Sequence, residues 1–179
     1  MSKKVILLNA PPSSGKDEAA NFLWEHYFAN HVQCKGQLID IAKSIAQINT
    51  YEWSQLYNNR ETKEVPTDRL FGRSPRQHLI YVAEEVIKPH FGSSYFGNII
   101  ASRLCEGLNV VSDIGFMEEA IPILEEVGYD NTILIRIHRE GRDFSSESRG
   151  WLKNICNKEY DIDNNGTLEE LFKKVSEVI

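Results

Sequence analysis

The segment NAPPSSGKDEAA, residues 9–20, places a Gly-Lys pair and two carboxylates directly after the apolar run at 5–8. Where a strand turns into a helix, successive backbone N–H groups and the helix N-terminus form a nest for phosphate oxygens. The spacing nearly matches the phosphate-binding loop G-x-x-x-x-G-K-[ST], in which the lysine reaches the β- and γ-phosphates of a nucleotide. We therefore predict an ATP-binding loop in which Lys16 is catalytic; an ordinary β-to-α turn with a solvated lysine is the alternative. The predicted ATP ligands are Ser13, Ser14, Gly15, Lys16, Asp17 and Glu18.

Two positions of this loop depart from the pattern. Ala10 stands where the first glycine is usual, and Asp17 replaces the hydroxyl residue that normally holds Mg²⁺. A carboxylate beside a triphosphate is repelled unless a bound Mg²⁺ turns the repulsion into attraction. We therefore predict that Asp17 is a direct or water-mediated ligand of the Mg²⁺ that accompanies ATP. The alternative is that Asp17 and Glu18 complement the positive end of the helix dipole.

A further acid, Asp113, ends the apolar run LNVVS at 108–112. A strand that ends in an acid at the carboxyl edge of a parallel sheet has the form of a Walker B strand, whose carboxylate lies near metal or substrate. We predict such a role for Asp113, and a polar strand end without function is the alternative.

Eight of the nine arginines lie in two segments, 60–76 and 136–149. Scattered surface charge would be shared more evenly between arginine and lysine, whereas clustered guanidinium groups suit two-pronged capture of phosphate or carboxylate. The clusters therefore favour anion binding. Because acidic residues are interspersed among them, two solvated and salt-bridged loops are the alternative.

Arg76 follows a Ser-Pro pair that marks the start of a helix. A cation in the first turn opposes the helix dipole, but an anion bound there would be attracted by both the guanidinium and the helix N-terminus. We predict that Arg76, with Arg73 nearby, binds the phosphate of a second substrate. The alternative is an exposed Arg76 paired with Asp68 or Glu64.

Short apolar runs alternate with helical patterns along the chain, which is typical of an α/β fold with a parallel sheet. Two capping boxes, Ser74 with Gln77 and Thr167 with Glu170, mark helix starts, and Pro89 is expected to end the helix that Ser74 begins. The segment 138–150 has no apolar periodicity, which predicts a mobile loop. The predicted strands span 4–9, 37–41, 108–112, 131–137 and 159–163. The predicted helices span 15–30, 42–57, 75–88, 94–106, 116–127 and 167–178.

Composition narrows the class of protein. The chain has 179 residues, enough for one α/β domain with a substantial core, and its 41% apolar and 26% charged residues are ordinary for a globular protein. A formal net charge of −6 argues against a general nucleic-acid or anionic-membrane binder. Three scattered cysteines fit no metal spacing and favour a reducing cytoplasm. No apolar run approaches membrane-spanning length.

Taken together, these motifs resemble the deoxynucleoside monophosphate kinases of bacteriophages, within the P-loop nucleoside monophosphate kinases. The resemblance extends over most of the chain, and its most specific element is the Gly-Lys-Asp variant of the phosphate loop. The other elements are individually weak but follow the family's order. They are Ala42-Lys43, SPRQ at 74–77, YFGN at 95–98, VVSD at 110–113, the arginine loop that ends in Ser146-Glu147, and NGTLEEL at 165–171.

The resemblance implies a five-stranded parallel sheet in the order 2-3-1-4-5, carried by a single domain over 1–179. It also implies an acceptor-binding helical region at 42–106 and a lid at 138–150, in which Arg139 and Arg142 would be catalytic. A homodimer is implied as well, although no stretch of the sequence marks an interface. The residues assigned to acceptor binding are Arg73, Arg76, Asp113 and Tyr95.

One departure from the family affects the acceptor site. Where the family often has Asp-x-Arg-Phe after the third strand, this chain has DIGF at 113–116. The missing arginine leaves the role of Asp113 open. Phe116 and Tyr95 are aromatic candidates for contact with the acceptor's base, and core packing is the alternative for both.

The implied reaction transfers the γ-phosphoryl of MgATP to a deoxynucleoside monophosphate, giving ADP and the diphosphate. Two other functions remain open on the sequence. A P-loop kinase with a hydroxyl acceptor, such as dephospho-coenzyme A, would need a base, and Asp40 at the end of the predicted second strand is placed to be one. The other is a nucleotide-binding regulator without turnover, which would not require an arginine-rich lid.

Overall fold

The structure, a computed structural model, describes residues 2–145 and 148–179, with the backbone but not the side chain of Arg60. Ser146 and Glu147, which end the arginine loop of the resemblance, lie outside the described residues. The strands are β1 (Lys3–Asn9), β2 (Asn30–Val32), β3 (Gly107–Val111), β4 (Thr132–His138) and β5 (Lys158–Asp163). Within the described residues these five strands form a parallel sheet in the order β2-β3-β1-β4-β5, which confirms the architecture implied by the resemblance.

Helical segments occupy most of the chain between the strands. The α-helices are α1 (Lys16–Tyr27), α2 (Lys35–Ala46), α3 (Thr50–Tyr57), α4 (Arg60–Lys63), α5 (Pro75–Tyr81), α6 (Lys88–Phe91), α7 (Tyr95–Ser102), α8 (Met117–Val127) and α9 (Leu168–Ser176). A π-helical turn spans Val82–Ile87, and 3₁₀ turns span Asp68–Leu70 and Tyr129–Asn131. Among the residues described, no helix has the length and apolar character needed to cross a membrane.

The chain divides into two compact units. The first, called the sheet unit, comprises Met1–Gln33 and Phe96–Ile179 and contains all the strands named above. The second, called the helical unit, comprises Cys34–Tyr95. The acceptor region expected from the resemblance therefore overlaps the helical unit over residues 42–95.

β1 is the central strand of the sheet unit, because β3 and β4 both pair with it. Its residues at 5–8 are fully buried, as in a parallel strand that is covered on both faces. Ile6 and Leu8 belong to a core cluster with residues of β4, α1 and α9, and the rings of Phe22 on α1 and Phe172 on α9 stack 4.5 Å apart. The loop after β1 is therefore anchored to a buried strand and to a helix that packs on the same core.

The predicted second strand at 37–41 is wrong, because these residues lie in α2. The sequence QLIDI has three apolar residues over too short a span to distinguish a strand from a turn of helix. β2 is instead the three-residue segment NHV, in which one residue is buried, so it offers no apolar run to recognise. The predicted helix at 42–57 is wrong as a single helix, because Gln47 adopts a left-handed φ of 50° and Asn49 caps α3.

The expectation that Pro89 ends the helix begun at Ser74 is also wrong. α5 continues through the π-helical turn into α6, which includes Pro89. In the π-helical turn the N–H of Lys88 bonds to the carbonyl of Ala83, five residues back. This wider spacing accommodates a proline, which lacks an N–H and clashes with the carbonyl four residues before it in an α-helix.

Two helix starts confirm their predicted capping boxes. At α5 the Ser74 side chain accepts from the N–H of Gln77, and the Gln77 side chain accepts from the N–H of Ser74. Thr167 and Glu170 form the same reciprocal pair at the start of α9. Each box satisfies backbone N–H groups that have no partner within the helix.

Candidate nucleotide-binding site

The loop between β1 and α1, residues 10–15, has the backbone of a phosphate nest. Ser13 and Gly15 both adopt left-handed φ angles, of 61° and 95°. Such turns direct successive N–H groups toward one point, where an anion is attracted. Gly15 is required here, since its φ is positive and an added Cβ would lie 2.4 Å from Asn164 Nδ2. The loop therefore has a conformation suited to phosphate.

Ala10, the first departure from the loop pattern, has a packing explanation. It is 3% exposed and belongs to the core cluster shared by β1 and α1. Its methyl group adds apolar burial at the base of the loop. An alanine is therefore accommodated where the usual pattern has glycine.

The predicted ATP ligands differ in their access to solvent. Lys16 is the first residue of α1 and is half-buried, while Asp17 and Glu18 are exposed in the first turn. Ser14 is fully buried, and its hydroxyl has no hydrogen-bond partner among the described residues. Ser13, Lys16, Asp17 and Glu18 are thus accessible to a ligand from solvent, whereas Ser14 is covered.

The segment after β4 contacts the phosphate loop through Arg139. Arg139 Nη1 donates to the carbonyl oxygen of Ser13 at 3.3 Å. A tight turn follows, in which the N–H of Arg142 donates to the carbonyl of Arg139 at 3.0 Å and Gly141 has a φ of 70°. Both arginines are exposed. The sheet unit therefore brings Arg139 to the loop that precedes Lys16, with Arg142 one tight turn further along the chain.

Asp17 and Asp113 act on a histidine that the sequence analysis did not identify. Burial lowers the pKa of His31, while the charges of Asp113 and Asp17 oppose this shift. His31 Nε2 lies 2.8 Å from Ser112 Oγ, and Gln33 Nε2 donates to the same hydroxyl at 3.0 Å. Because β1 and β3 are neighbouring parallel strands, Asp17, soon after β1, and Asp113, soon after β3, lie in a common region at the carboxyl edge of the sheet. A divalent cation in that region would be attracted by both.

Asn9, the last residue of β1, ties three backbone segments together. Its Nδ2 donates to the carbonyls of Ile114 at 3.3 Å and Gly150 at 3.1 Å, and its Oδ1 accepts from the N–H of Leu152 at 2.9 Å. Asn9 is fully buried, so loss of its side chain would leave unsatisfied groups away from water. The amide therefore holds the segment beyond β3 and the end of the 138–150 segment against the central strand.

The departure at Gly115 has a steric reason. A Cβ added at Gly115 would lie 2.7 Å from the Cβ of Arg149 and equally close to its Cδ. The N–H of Gly150 also donates to the Gly115 carbonyl at 3.2 Å. Arg149 therefore runs across the position where a side chain at 115 would begin, and a larger residue there would displace it.

Three of the predicted acceptor residues, Arg73, Arg76 and Tyr95, belong to the helical unit. The Arg73 guanidinium lies 3.8 Å from the ring centroid of Tyr81, a cation–π contact. Arg76, in the first turn of α5, has its Nη1 3.5 Å from Glu64 Oε1, which is the pairing weighed as the alternative to anion binding. Both partners are partly exposed, so the pair is weak enough to be exchanged for a phosphate. Tyr95 begins α7 and is half-buried.

Arg136 is a structural arginine, which is salt-bridged but lies in a strand and not in a solvated loop. It lies within β4 and is 9% exposed. It donates to Asp161 at 2.9 and 2.8 Å, to Glu159 at 2.6 Å and to the Leu152 carbonyl at 3.0 Å. These carboxylates raise the pKa of Arg136, with the hydrogen bonds to Asp161 as the largest cause. The arginine content of 136–149 therefore overstates its capacity for binding anions.

Asp40, the candidate base for a hydroxyl acceptor, lies in α2 and not at the end of a strand. Its carboxylate forms an ion pair with Lys43 at 2.8 Å, three residues later on the helix, and its side chain is 73% exposed. A solvated pair of this kind is ordinary helix surface. The position at the carboxyl edge of the sheet, on which the assignment of Asp40 as a base rested, is therefore wrong.

Comparisons with known proteins show that this chain is similar to proteins named as kinases. No protein-family model matches the chain. A protein of Acanthamoeba polyphaga mimivirus named "Putative deoxynucleotide monophosphate kinase" is 30% identical over 189 residues, covering 96% of this chain and 93% of the viral protein. A gluconokinase from Sinorhizobium meliloti 1021 has a TM-score of 0.51 at 10% identity, covering 97% of this chain and 89% of its own. A "putative kinase" from Chloroflexus aurantiacus J-10-fl has a TM-score of 0.52 at 12% identity, covering 100% of both chains.

The two structural matches, at such low identity, show a shared fold. The viral match adds sequence identity over almost the full length of both chains. The geometry agrees with both findings, because the phosphate loop follows the central strand and Lys16 opens the next helix. This chain belongs to the deoxynucleotide monophosphate kinase family of the P-loop kinases.

Proposed function

We propose that this kinase transfers the γ-phosphoryl group of MgATP to a deoxynucleoside monophosphate, producing ADP and a deoxynucleoside diphosphate. The observation that carries the proposal is the contact of Arg139 with the Ser13 carbonyl, which sets a second cation beside the loop that precedes Lys16. Phosphoryl transfer spreads negative charge over the transferred group, and converging cations stabilise that charge. The full-length similarity to a viral protein named for this activity supports the same substrate class.

The proposed reaction needs positioning and charge neutralisation more than proton transfer. An oxygen of the acceptor's phosphate attacks the γ-phosphorus of ATP, and the bond to the β–γ bridging oxygen breaks with its electron pair leaving on ADP. A phosphate monoester has a second pKa of about 6, so the attacking oxygen is already anionic at neutral pH. Lys16, Arg139 and Arg142 are proposed to neutralise charge on the transferred group, since catalysis here is electrostatic.

Asp17 is proposed to hold the Mg²⁺ that accompanies ATP, with Asp113 nearby to contact the metal or the acceptor. The residues fit such an ion, because the two carboxylates follow neighbouring parallel strands and lie at the same edge of the sheet. In residues 2–145 and 148–179, no three His, Cys, Asp or Glu side chains are grouped as a metal site of their own. Mg²⁺ needs one or two protein carboxylates, because it keeps several waters and binds phosphate oxygens. When bound, the ion would withdraw charge from those oxygens.

In the helical unit, Arg73 and Arg76 are proposed to bind the phosphate of the acceptor. The ring of Tyr81 supports the Arg73 guanidinium, which reduces the freedom it would lose on binding. Arg76 lies in the first turn of α5, where the helix dipole favours an anion. Tyr95 is proposed to contact the base.

An acceptor screen tests the proposal. ADP release from MgATP is measured with each deoxynucleoside monophosphate, with the ribonucleotides, and with gluconate and dephospho-coenzyme A. We expect release that depends on a deoxynucleoside monophosphate and that falls about 10²-fold or more in Lys16→Ala, the scale of losing one preorganised donor. Lys4→Ala, at the exposed start of β1, is the control. Release that requires a hydroxyl acceptor would overturn the acceptor class, and ATP binding without acceptor-dependent release would indicate a regulator.

A further inference from the structure

We propose that Asn164 is a positioning residue that sets the phosphate loop in its binding conformation; this inference rests on the proposed function. Asn164 directly follows β5, and its Nδ2 donates to the carbonyl oxygen of Ser14 at 2.9 Å. It is 6% exposed, so the bond is made away from water. A buried bond of this kind is costly to lose, because the carbonyl left behind has no solvent to replace it.

The Ser14 carbonyl controls the direction of the N–H group that follows it. Ser14 C=O and Gly15 N–H belong to one planar trans peptide group, so they point in opposite directions. By holding the carbonyl oxygen on its own side, Asn164 directs the Gly15 N–H to the other side of the loop. In a phosphate nest the direction of each N–H group decides whether an anion is bound.

Asn164 is held in place through both its backbone and its side-chain amide. Its backbone N–H donates to the carbonyl of His138, the last residue of β4, at 2.7 Å. Its Nδ2 would lie 2.4 Å from a Cβ on Gly15, so the amide packs directly against the glycine backbone. The phosphate loop is therefore connected to the ends of two strands, β4 and β5, through one residue, whose backbone bonds to β4 and whose side chain bonds to the loop.

The same turn also supports the start of the arginine loop. The neighbouring Asn165 accepts from the N–H of Glu140 through its Oδ1 at 2.8 Å. Arg139, one residue earlier, reaches the Ser13 carbonyl. The adjacent residues Asn164 and Asn165 thus bond to the phosphate loop and to the segment that follows β4. This arrangement fixes the backbone positions from which the Lys16 and Arg139 side chains extend.

Direct measurement of ATP affinity tests this role without reference to the acceptor. ATP binding to Asn164→Ala and Asn164→Asp is measured by displacement of a fluorescent ATP analogue. We expect the ATP dissociation constant of Asn164→Ala to be about tenfold higher than that of the wild type, the scale of losing one buried hydrogen bond. Asn164→Asp should bind more weakly still, because its oxygen would oppose the Ser14 carbonyl. In steady-state kinetics kcat should fall while the acceptor KM stays unchanged.

Asn131→Ala is the matched control, because it removes an asparagine amide that donates to a backbone carbonyl, that of Val127 at 3.1 Å, beside the start of β4. ATP affinity in this variant should equal that of the wild type. Wild-type ATP affinity in a folded Asn164→Ala would overturn the inference while leaving the kinase proposal standing. If the wild type itself shows no acceptor-dependent turnover, the kinase proposal is overturned instead.

A measurement on the wild-type protein covers the case in which the Asn164 variants do not fold. By nuclear magnetic resonance, the side-chain amide protons of Asn164 should exchange slowly with solvent, and ATP should shift the Gly15 amide signal. The exposed amide of Asn165, whose nitrogen has no role in the proposal, provides the comparison. Equally fast exchange of both side-chain amides would contradict the inference.

Discussion

Arg139 and Ser13 are 126 positions apart in the sequence, yet a guanidinium N–H of the first donates to the carbonyl of the second at 3.3 Å. The bond is long and solvent-exposed, and a neutral carbonyl is a weaker acceptor than an anion. A phosphate bound at the same loop would therefore compete well for the guanidinium. We therefore propose that Arg139 exchanges the Ser13 carbonyl for an oxygen of the transferred group.

Arg139→Ala should therefore lower kcat by about 10²-fold, on the scale of removing one preorganised donor, with little change in the KM for ATP. Arg139→Lys should restore activity in part, since a point charge cannot reproduce a two-pronged guanidinium contact. Arg69→Ala is the control, because Arg69 forms an exposed ion pair with Glu52. A raised ATP KM with unchanged kcat would show that Arg139 binds nucleotide in the ground state instead.

The two arginine groups should differ in the kinetic constant that they control. Arg76→Ala should raise the acceptor KM, because Arg76 is proposed to bind the acceptor's phosphate in the ground and transition states alike. Arg142→Ala should lower kcat, because Arg142 is exposed in its loop and is proposed to contact the transferred group only in the transition state. Both constants come from varying the acceptor at saturating MgATP. The division is wrong if Arg142→Ala changes the acceptor KM alone or if Arg76→Ala leaves it unchanged.

Asp17→Asn should raise the Mg²⁺ concentration needed for half-maximal activity more than it changes the acceptor KM. The neutral amide keeps the shape of the carboxylate but loses the charge that attracts a divalent cation. Glu25→Gln is the control, because it removes an exposed acid from a later turn of the same helix. If both variants keep the wild-type Mg²⁺ dependence, Asp17 serves the helix dipole and not the metal.

Gly115→Ala should lower the free energy of unfolding by about 1–3 kcal/mol, the usual cost of inserting a methyl group into filled space. The new Cβ would meet three side-chain atoms of Arg149 at 2.7 to 2.8 Å. Arg149→Gly removes those atoms, so the cost of Gly115→Ala should be smaller in that background. Urea unfolding of the wild type, both single variants and the double variant gives the coupling. Equal costs in both backgrounds would show that Arg149 does not occupy the space beside Gly115.

Thermal stability should fall in acid through the carboxylates that bind Arg136. Hydrogen bonds from Arg136 hold the pKa of Asp161 well below its usual value. A carboxylate with a depressed folded-state pKa stabilises the fold above its unfolded pKa, about 3.9, and this contribution is lost as the pH falls further. Asp161→Asn should therefore be less stable than the wild type at pH 7, and the difference should shrink below about pH 4.

The size of this effect is limited, because the Asp161 side chain is 55% exposed and solvent screens the pair. Asp163→Asn, an exposed acid on the same strand, is the control. Melting temperatures of the three proteins from pH 7 down to pH 3 provide the comparison. A constant difference between wild type and Asp161→Asn across this range would contradict the assignment.

Local signals predicted most of the fold. Apolar runs in the sequence mark β1, β3 and β4, and the Ser74 and Thr167 caps act within four residues of chain, so both kinds of element could be recognised. β2 could not, because three residues with one buried side chain leave no period to detect. The helical character of 37–41 was missed for a related reason, since five residues with three apolar side chains fit a strand and a short helix equally.

The site divides in the same way. The phosphate loop and Lys16 are contiguous in sequence, so their spacing predicts them. Asn164 could not be connected to Ser14 by pattern, because 150 positions separate the two residues and the contact depends on strand order. The contacts of Asn9 with distant segments could not be predicted for the same reason. Its position, a polar residue at the end of a buried apolar run, was a signal that could have marked it as a candidate. Gly115 was visible as a departure, but its cause, the side chain of Arg149, required the three-dimensional structure.

The most direct test of the central claim follows the γ-phosphoryl group itself. The wild-type protein is incubated with Mg²⁺, a deoxynucleoside monophosphate and ATP radiolabelled in its γ-phosphoryl group, and the products are separated by chromatography. We predict that the label appears in the deoxynucleoside diphosphate in an amount equal to the ADP formed. Label that appears in inorganic phosphate alone, or that remains in ATP with every deoxynucleoside monophosphate, would contradict the account.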